Sequence, residues 1–167
     1  YAMFMETNYV DKNGFLSMVN MQNWMSNATY ERLRERIVET DSIETMIHMG
    51  KRGFDAISGD VVQTVSFVFR NTSKVNKRGT YYDLTEGQSE AEKEQQFLHG
   101  NSRYITKQEN FLRIPGTQLT AYWVSDNMVN CFRDPIIGKK FTTREGMATA
   151  GNDTFLRYWY ELNYHRI

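Results

Sequence analysis

The chain has 167 residues, 40% apolar and 14% aromatic, enough for one packed domain and too apolar for a disordered tail. Basic and acidic side chains number 20 each, so the whole-molecule field makes no case for nucleic acid. Residues 1–100 hold 11 basic and 14 acidic side chains, net −3, whereas 101–167 hold 9 and 6, net +3, so a polyanion site is local and expected toward the C-terminal end.

The single Cys131 cannot form an intrachain disulfide, and one cysteine with three scattered histidines lacks metal-ligand spacing. That usage fits a reducing compartment. No apolar run approaches the roughly 18 residues of a membrane span, and no basic region followed by an apolar signal core opens the chain. The expectation is a cytoplasmic protein that does not engage a membrane. The cluster Tyr1, Met3, Phe4, Met5, with no capping residue before it, reads as a start in mid-element and hence as part of a longer protein.

In chain order, FLSMVN at 15–20 follows the turn D-K-N-G and reads as a buried strand. Residues 27–40 read as a helix capped by Asn27, with Tyr30, Leu33, Ile37 and Val38 on one face and arginines and glutamates on the other. In SIETMIHMG, Ile43, Thr45, Ile47 and Met49 alternate with Glu44, Met46 and His48 at strand period. The run VVQTVSFVFR at 61–70 is the most β-prone stretch and predicts a central strand. A basic loop at 71–79 leads to a short strand at 80–84, and Ser89 with Glu92 forms a capping box for a helix to about Leu98.

Beyond residue 100 periodicity weakens and both prolines occur, so YITKQENFLRIPG reads as an irregular connector. A short helix is predicted over 125–133 with Ser125 as cap. The remainder, punctuated by Gly138, Gly146 and Gly151, reads as the start of a second, β-rich unit, with the boundary near 100–120.

Strand, helix, strand, loop, strand over 15–70 describes an α/β unit whose last strand returns through a loop, which favours an antiparallel partner. The blocks GFLSMVNMQNWM, YERLRERIVET, MIHMGKRGFDAISGDVVQTVSFVFRN, GTYYDLTEGQSEAEKEQQFL and GMATAGNDTFLRYW, in that order, resemble the PglX-like DNA adenine methyltransferases of BREX phage-defence systems. The resemblance implies the C-terminal portion of a Rossmann-like methyltransferase sheet, with a final antiparallel strand between the two preceding ones. Residues 1–100 would be the latter part of the catalytic domain, and 101–167 the connector and start of the target-recognition domain. It further implies S-adenosylmethionine as methyl donor, a flipped adenine in double-stranded DNA as acceptor, and other defence-system proteins as partners. The chain has no adjacent prolines and no G-x-G, so the amine-holding loop and the cofactor turn are absent and the piece by itself should be inactive. If the strand at 15–20 lacks its upstream neighbour, its open edge predicts a homodimer or aggregate of the isolated chain.

Four features carry candidate sites. Phe54, in G-K-R-G-F-D, matches by resemblance the loop whose aromatic packs on the flipped base, where stacking is worth about 1–3 kcal/mol; the alternative is that it caps the core. Gly50 and Gly53 enclose Lys51 and Arg52, a GxxG spacing that KH domains share, but the flanking strands favour the methyltransferase. Asn20, Gln22 and Trp24 follow a strand at the sheet end where open α/β folds bind ligands; they line a pocket with Phe54, or form a satisfied polar turn with Trp24 in the core. Arg70, Lys74, Lys77 and Arg78 form a basic loop suited to phosphate or merely to solvent. Finally, Arg144, Gly146, Thr149 and Asn152 lie in R-E-G-M-A-T-A-G-N-D-T-F, which resembles G-x-x-T-G-x-N-x-x-F at the start of related recognition domains, one position out of register; a simple chain reversal is the alternative. His48, His99 and Cys131 read as a strand-end, a helix-end and a buried apolar position without nucleophilic pairing.

Two function classes follow: part of a DNA adenine-N6 methyltransferase, or a non-catalytic nucleic-acid-binding or assembly module on the same scaffold.

Overall fold

The computed structural model describes residues 9–54, 62–72, 78–100, 102–133, 135, 137–142, 146, 151–152, 156 and 158–161. Two compact units divide at Asp134/Pro135. The first is built on a five-stranded sheet of order β1-β3-β2-β4-β5, formed by β1 (Phe15–Met21), β2 (Ser42–Gly50), β3 (Thr64–Arg70), β4 (Arg78–Asp83) and β5 (Arg103–Lys107).

Strand β3 lies antiparallel between β1 and β2, pairing Phe69 with both Leu16 and Ile43. β1 and β2 are therefore parallel, and α1 (Glu31–Thr40) supplies the crossover that such strands require. The antiparallel loop return expected for 61–70 is what forms. β4 then pairs parallel to β2, and β5 antiparallel to β4. Two expectations need correction. Residues 103–113 are not irregular: they form β5 and the short helix α3 (Glu109–Arg113), so the sheet continues past residue 100 and past the antiparallel strand. The change between compact units falls later than 100–120.

The core lies on one face of the sheet. Val65, Phe67 and Phe69 alternate inward along β3, and Trp24 packs edge-on against Phe67 and Phe69 at 5.5 and 6.2 Å. Ile37 and Val38 of α1, Phe111, Leu119 and Tyr122 close it, with Tyr81 stacked on Tyr122 at 5.5 Å. Within β2 the alternation read from sequence slips. A register irregularity between Ile43 and Thr45 places Ile43, Met46 and His48 on the core side and leaves Ile47 and Met49 half-buried.

Three of the turn and helix starts are fixed by the side chains expected to cap them, whereas α1 itself and α3 begin without a side-chain cap. Asn27 Oδ1 accepts from Thr29 N at 2.9 Å in a 3-10 turn leading into α1. Ser89 Oγ accepts from Glu92 N at 3.3 Å at the start of α2 (Glu90–His99), while the Glu92 carboxylate reaches Gln88 N at 2.8 Å. Ser125 Oγ does the same for Met128 N in α4 (Asp126–Cys131). The arginine face of α1 was expected in solvent, but Arg34 is fully buried. It donates to the carbonyls of Trp24 (2.9 Å), Asn27 (2.6 Å), Gly116 (2.6 Å) and Thr117 (2.9 Å). Cys131, expected buried, is exposed.

The second unit, from Pro135, includes 3-10 turns at Ile137–Lys139 and Trp159–Glu161, and no strand is found among its described residues.

Candidate functional site

Strands β1, β2 and β4 are mutually parallel, so their C-terminal ends, at Met21, Gly50 and Asp83, open on one side of the sheet. In open α/β sheets that is where ligands bind, because loops leaving the strand ends diverge there. A cleft of about 400 Å³ occupies this position, lined among others by Gln22, His48, Lys51, Arg52, Gln63 and Gln88.

The turn after β2 shapes its mouth. Gly50 takes φ +66°, where a Cβ would stand 3.0 Å from Thr85 Cγ2, and Arg52 also takes a left-handed φ of 54°. Holding a non-glycine there costs of order 1 kcal/mol and fixes where the side chain leaves the turn. Arg52 Nη1 donates to Gln88 Oε1 at 3.0 Å, and Lys51 is exposed beside it.

The floor is a chain of polar contacts. Tyr122 Oη lies 3.0 Å from His48 Nδ1, His48 Nε2 lies 2.7 Å from Gln22 Oε1, and Gln22 Nε2 donates to Gln63 Oε1 at 2.5 Å. Burial pushes the His48 imidazole below its ordinary pKa, with Asp83 opposing and Lys93 reinforcing the shift. Burial and the hydrogen-bonded Asp83 carboxylate push the Tyr122 hydroxyl up, so both rings are neutral at physiological pH. Lys93 of α2 donates to Met49 O at 2.8 Å and Leu84 O at 2.5 Å, tying together the ends of β2 and β4; desolvation lowers its pKa, and Asp83, Glu92 and Glu86 oppose that.

The structure brings together only part of the sequence-predicted set. Gln22, Lys51 and Arg52 line the cleft. Phe54, two residues on, is 40% exposed. Asn20 Oδ1 instead accepts from Trp24 Nε1 at 2.9 Å, and Trp24 is buried, so these two form the satisfied turn and do not line the cleft. Arg78 begins β4, at the end of that strand remote from the cleft; it pairs opposite Lys107 and lines, with Trp123, a second cavity of about 260 Å³. Arg70 donates to Asn13 O at 3.2 Å and lies 5.4 Å over the Phe15 ring. Gly146 and Asn152 are exposed in the second unit. Lys74, Lys77, Arg144 and Thr149 lie outside the described residues.

His48, Gln63, Tyr122 and Asp83 were missed. His48 read as a bland strand end because its alternation partners placed it away from the core. The β2 irregularity reverses that face, and Tyr122 comes from 74 residues away. No group of three or more potential metal ligands is found among the described residues, and none of the described helices is long and apolar enough to cross a membrane.

Comparison with known proteins bears on the identity of this scaffold. The chain is 34% identical, over its whole length, to the adenine-specific methyltransferase PglX of Lacticaseibacillus casei (strain Zhang), and 35% identical over 98% of its length to the adenine-specific methyltransferase BrxX of Escherichia coli O9:H4 (strain HS). The chain is PglX-like. It spans only 15% and 14% of the length of these curated relatives, so it corresponds to one segment of them. No family model matches. Among solved structures, a chain from a study of complex assembly and conformational transition of the type I R-M system aligns with 66% of this chain and 28% of its own length, with a TM-score of 0.52 at 15% identity. That likeness shows a shared fold for the PglX-like segment.

Proposed function

We propose that this PglX-like segment is part of a site-specific DNA adenine-N6 methyltransferase of a phage-defence or restriction-modification system. The first compact unit, Tyr1–Asp134, would belong to the end of its catalytic domain, and the second, Pro135–Ile167, would lead into its target-recognition domain. The observation that carries this reading is β3 inserted antiparallel between the parallel strands β1 and β2, the sheet end that the resemblance implies. The same strand ends create the polar cleft, whose lining includes Lys51 and Arg52 of the β2–β3 loop, and Phe54 is exposed two residues further along that loop. An aromatic on an open loop beside cations suits a base taken out of the duplex, with its phosphate neutralised nearby.

The cleft does not fit S-adenosylmethionine. Lys51 and Arg52 would repel its sulfonium and ammonium groups, and no carboxylate is found among the described residues that line the cleft for its ribose hydroxyls. Methyl-donor binding is therefore assigned to residues of the longer protein outside this chain, and the chain's own contribution is to hold DNA. Partners in this reading are double-stranded DNA and other defence proteins. The outward side chains Phe15, Val19 and Met21 of the edge strand β1 mark where the isolated chain would self-associate.

The test is methylation by the full-length protein with and without Phe54→Ala. A loss of methylation with unchanged melting supports the base-contact role. Equal loss of both, at the roughly 3–5 kcal/mol typical of a truncated core phenylalanine, refutes it. Titration calorimetry of the isolated chain with S-adenosylmethionine should show no tight binding, and a micromolar dissociation constant would misplace the segment.

A further inference from the structure

The sheet ends at β5, and that edge is open. β5 pairs with β4 alone, and no strand among the described residues lies beyond it. One contact fixes which of its backbone groups are used. Asp83 N donates to Ser102 O at 2.9 Å, one step past the opposed pair Tyr82 and Arg103. Bonded and non-bonded pairs alternate along an antiparallel ladder, so Tyr104 and Thr106 turn their amides and carbonyls to β4, while Arg103, Ile105 and Lys107 turn theirs outward. No hydrogen bond among the described residues reaches those outward groups.

The side chains of the same three residues share one face and carry one sign of charge. Tyr104 packs on the Tyr122 ring and Thr106 Oγ1 donates to Tyr122 O, which puts both on the core side and leaves Arg103, Ile105 and Lys107 on the other. Arg103 and Ile105 are exposed, and Lys107 stands directly opposite Arg78, another exposed cation. Like charges opposed across a ladder are destabilising, and no ion pair among the described residues relieves these three. The cavity of about 260 Å³ borders this strand, with Ile105, Lys107 and the 57% exposed Trp123 in its lining. Asp126, which also lines it, is already held by Asn110 Nδ2 at 2.7 Å.

We propose that the β5 edge docks an extended acidic segment of another protein, which joins the sheet as a further strand. The segment carries two acidic residues four positions apart, set against Arg103 and Lys107 across about 13 Å of strand, with an apolar residue midway against Ile105. Nucleic acid fits this edge less well, because phosphates accept from amides only and the outward carbonyls would face further acceptors. A second copy of β5 is disfavoured as well, since antiparallel pairing about Ile105 sets Arg103 against Lys107 twice. None of the cleft's residues takes part, so the docking stands or falls apart from the methyltransferase reading.

The experiment is selection from a random peptide library by the full-length protein, followed by anisotropy titration of a selected peptide and amide exchange with and without it. Selected peptides should share an apolar residue flanked two positions away on each side by an acid. The Ile105 amide should exchange freely in the unbound protein, and saturating peptide should slow it about 10-fold or more; the Tyr104 and Thr106 amides, already bonded to β4, should change little. Ile105→Pro removes an amide that β4 does not use, so the ladder keeps its bonds while peptide affinity falls about 10-fold. Arg103→Glu combined with Lys107→Glu leaves the backbone intact and should turn the selected flanking residues from acidic to basic, which decides the matter even if the proline variant melts early.

An Ile105 amide already protected in the unbound protein would overturn the proposal, because another part of the protein then covers the edge. Selection of no peptide, or of peptides whose flanking residues ignore the charge reversal, would overturn it too and leave β5 a sheet end that its charges merely keep from aggregating. Slowing of Ile105 exchange by a DNA duplex and by no selected peptide would assign the edge to nucleic acid instead.

Discussion

Arg34 offers the sharpest test of how this unit is held together. Its guanidinium is fully buried and donates to four backbone carbonyls, of Trp24, Asn27, Gly116 and Thr117, with no carboxylate among the described residues accepting from it. Desolvation draws its pKa down, and Glu31 and Glu35 oppose that from the same helix. The bonds to Trp24 O and Thr117 O are buried, and the other two are partly so. In Arg34→Ala the two buried carbonyls lose their partner, and each such orphan costs about 1–3 kcal/mol. The partly buried pair recovers much of its loss by binding water, and the lost burial of a charge gives some free energy back. The expected net destabilisation is about 2–5 kcal/mol, concentrated in residues 24–27 and 114–119. Arg34→Lys, with one nitrogen for four acceptors, should fall between. Amide exchange in the full-length protein reads this locally, through Asn27 N, bonded to Asn23 O at 3.0 Å, and Thr117 N, bonded to Ile114 O at 3.0 Å. Protection of these amides should drop by roughly 30-fold or more, at about 1.4 kcal/mol per tenfold. A loss below 1 kcal/mol, or one spread evenly over the sheet, would refute the assignment of Arg34 as the pin between α1 and the 114–119 loop.

Because the folded-state pKa of His48 is depressed below 6.5, the unfolded chain binds more protons at mildly acidic pH. Stability should therefore be full above pH 6.5 and be lost as pH falls toward the folded-state pKa; a denaturation series on the wild type and His48→Gln should show the variant flatter in that window. The Tyr81 hydroxyl is buried with no partner among the described residues, so Tyr81→Phe should be neutral or stabilising by about 1 kcal/mol, and a loss above 1 kcal/mol in urea unfolding would reveal an unrecognised bond. Gly50→Ala forces a Cβ into a left-handed position against Thr85 and should cost about 1–2 kcal/mol while also weakening DNA binding through displacement of Lys51 and Arg52, measurable by melting and anisotropy together.

What local chemistry decides was legible in the sequence. Asn27, Ser89 and Ser125 cap their turns and helices because a short polar side chain can satisfy a neighbouring amide without any distant partner. The β-prone run after residue 60 becomes an interior strand for a similarly local reason, its alternating Val65, Phe67 and Phe69 needing burial on one face. Arg34 was also within reach: at three and four residues before Ile37 and Val38 it shares their buried face, although its charge argued for solvent.

Only the tertiary structure decided the rest. The irregularity after Ile43 shifts the pairing of β2, and a one-residue shift exchanges the faces of every following side chain, so His48 turns to the core side instead of away from it. The candidate site depends on that reversal and on Gln63 and Tyr122, which pair with residues 41 and 74 positions away. Such pairings are set by strand order and by packing between distant segments, and neither periodicity nor local propensity encodes them.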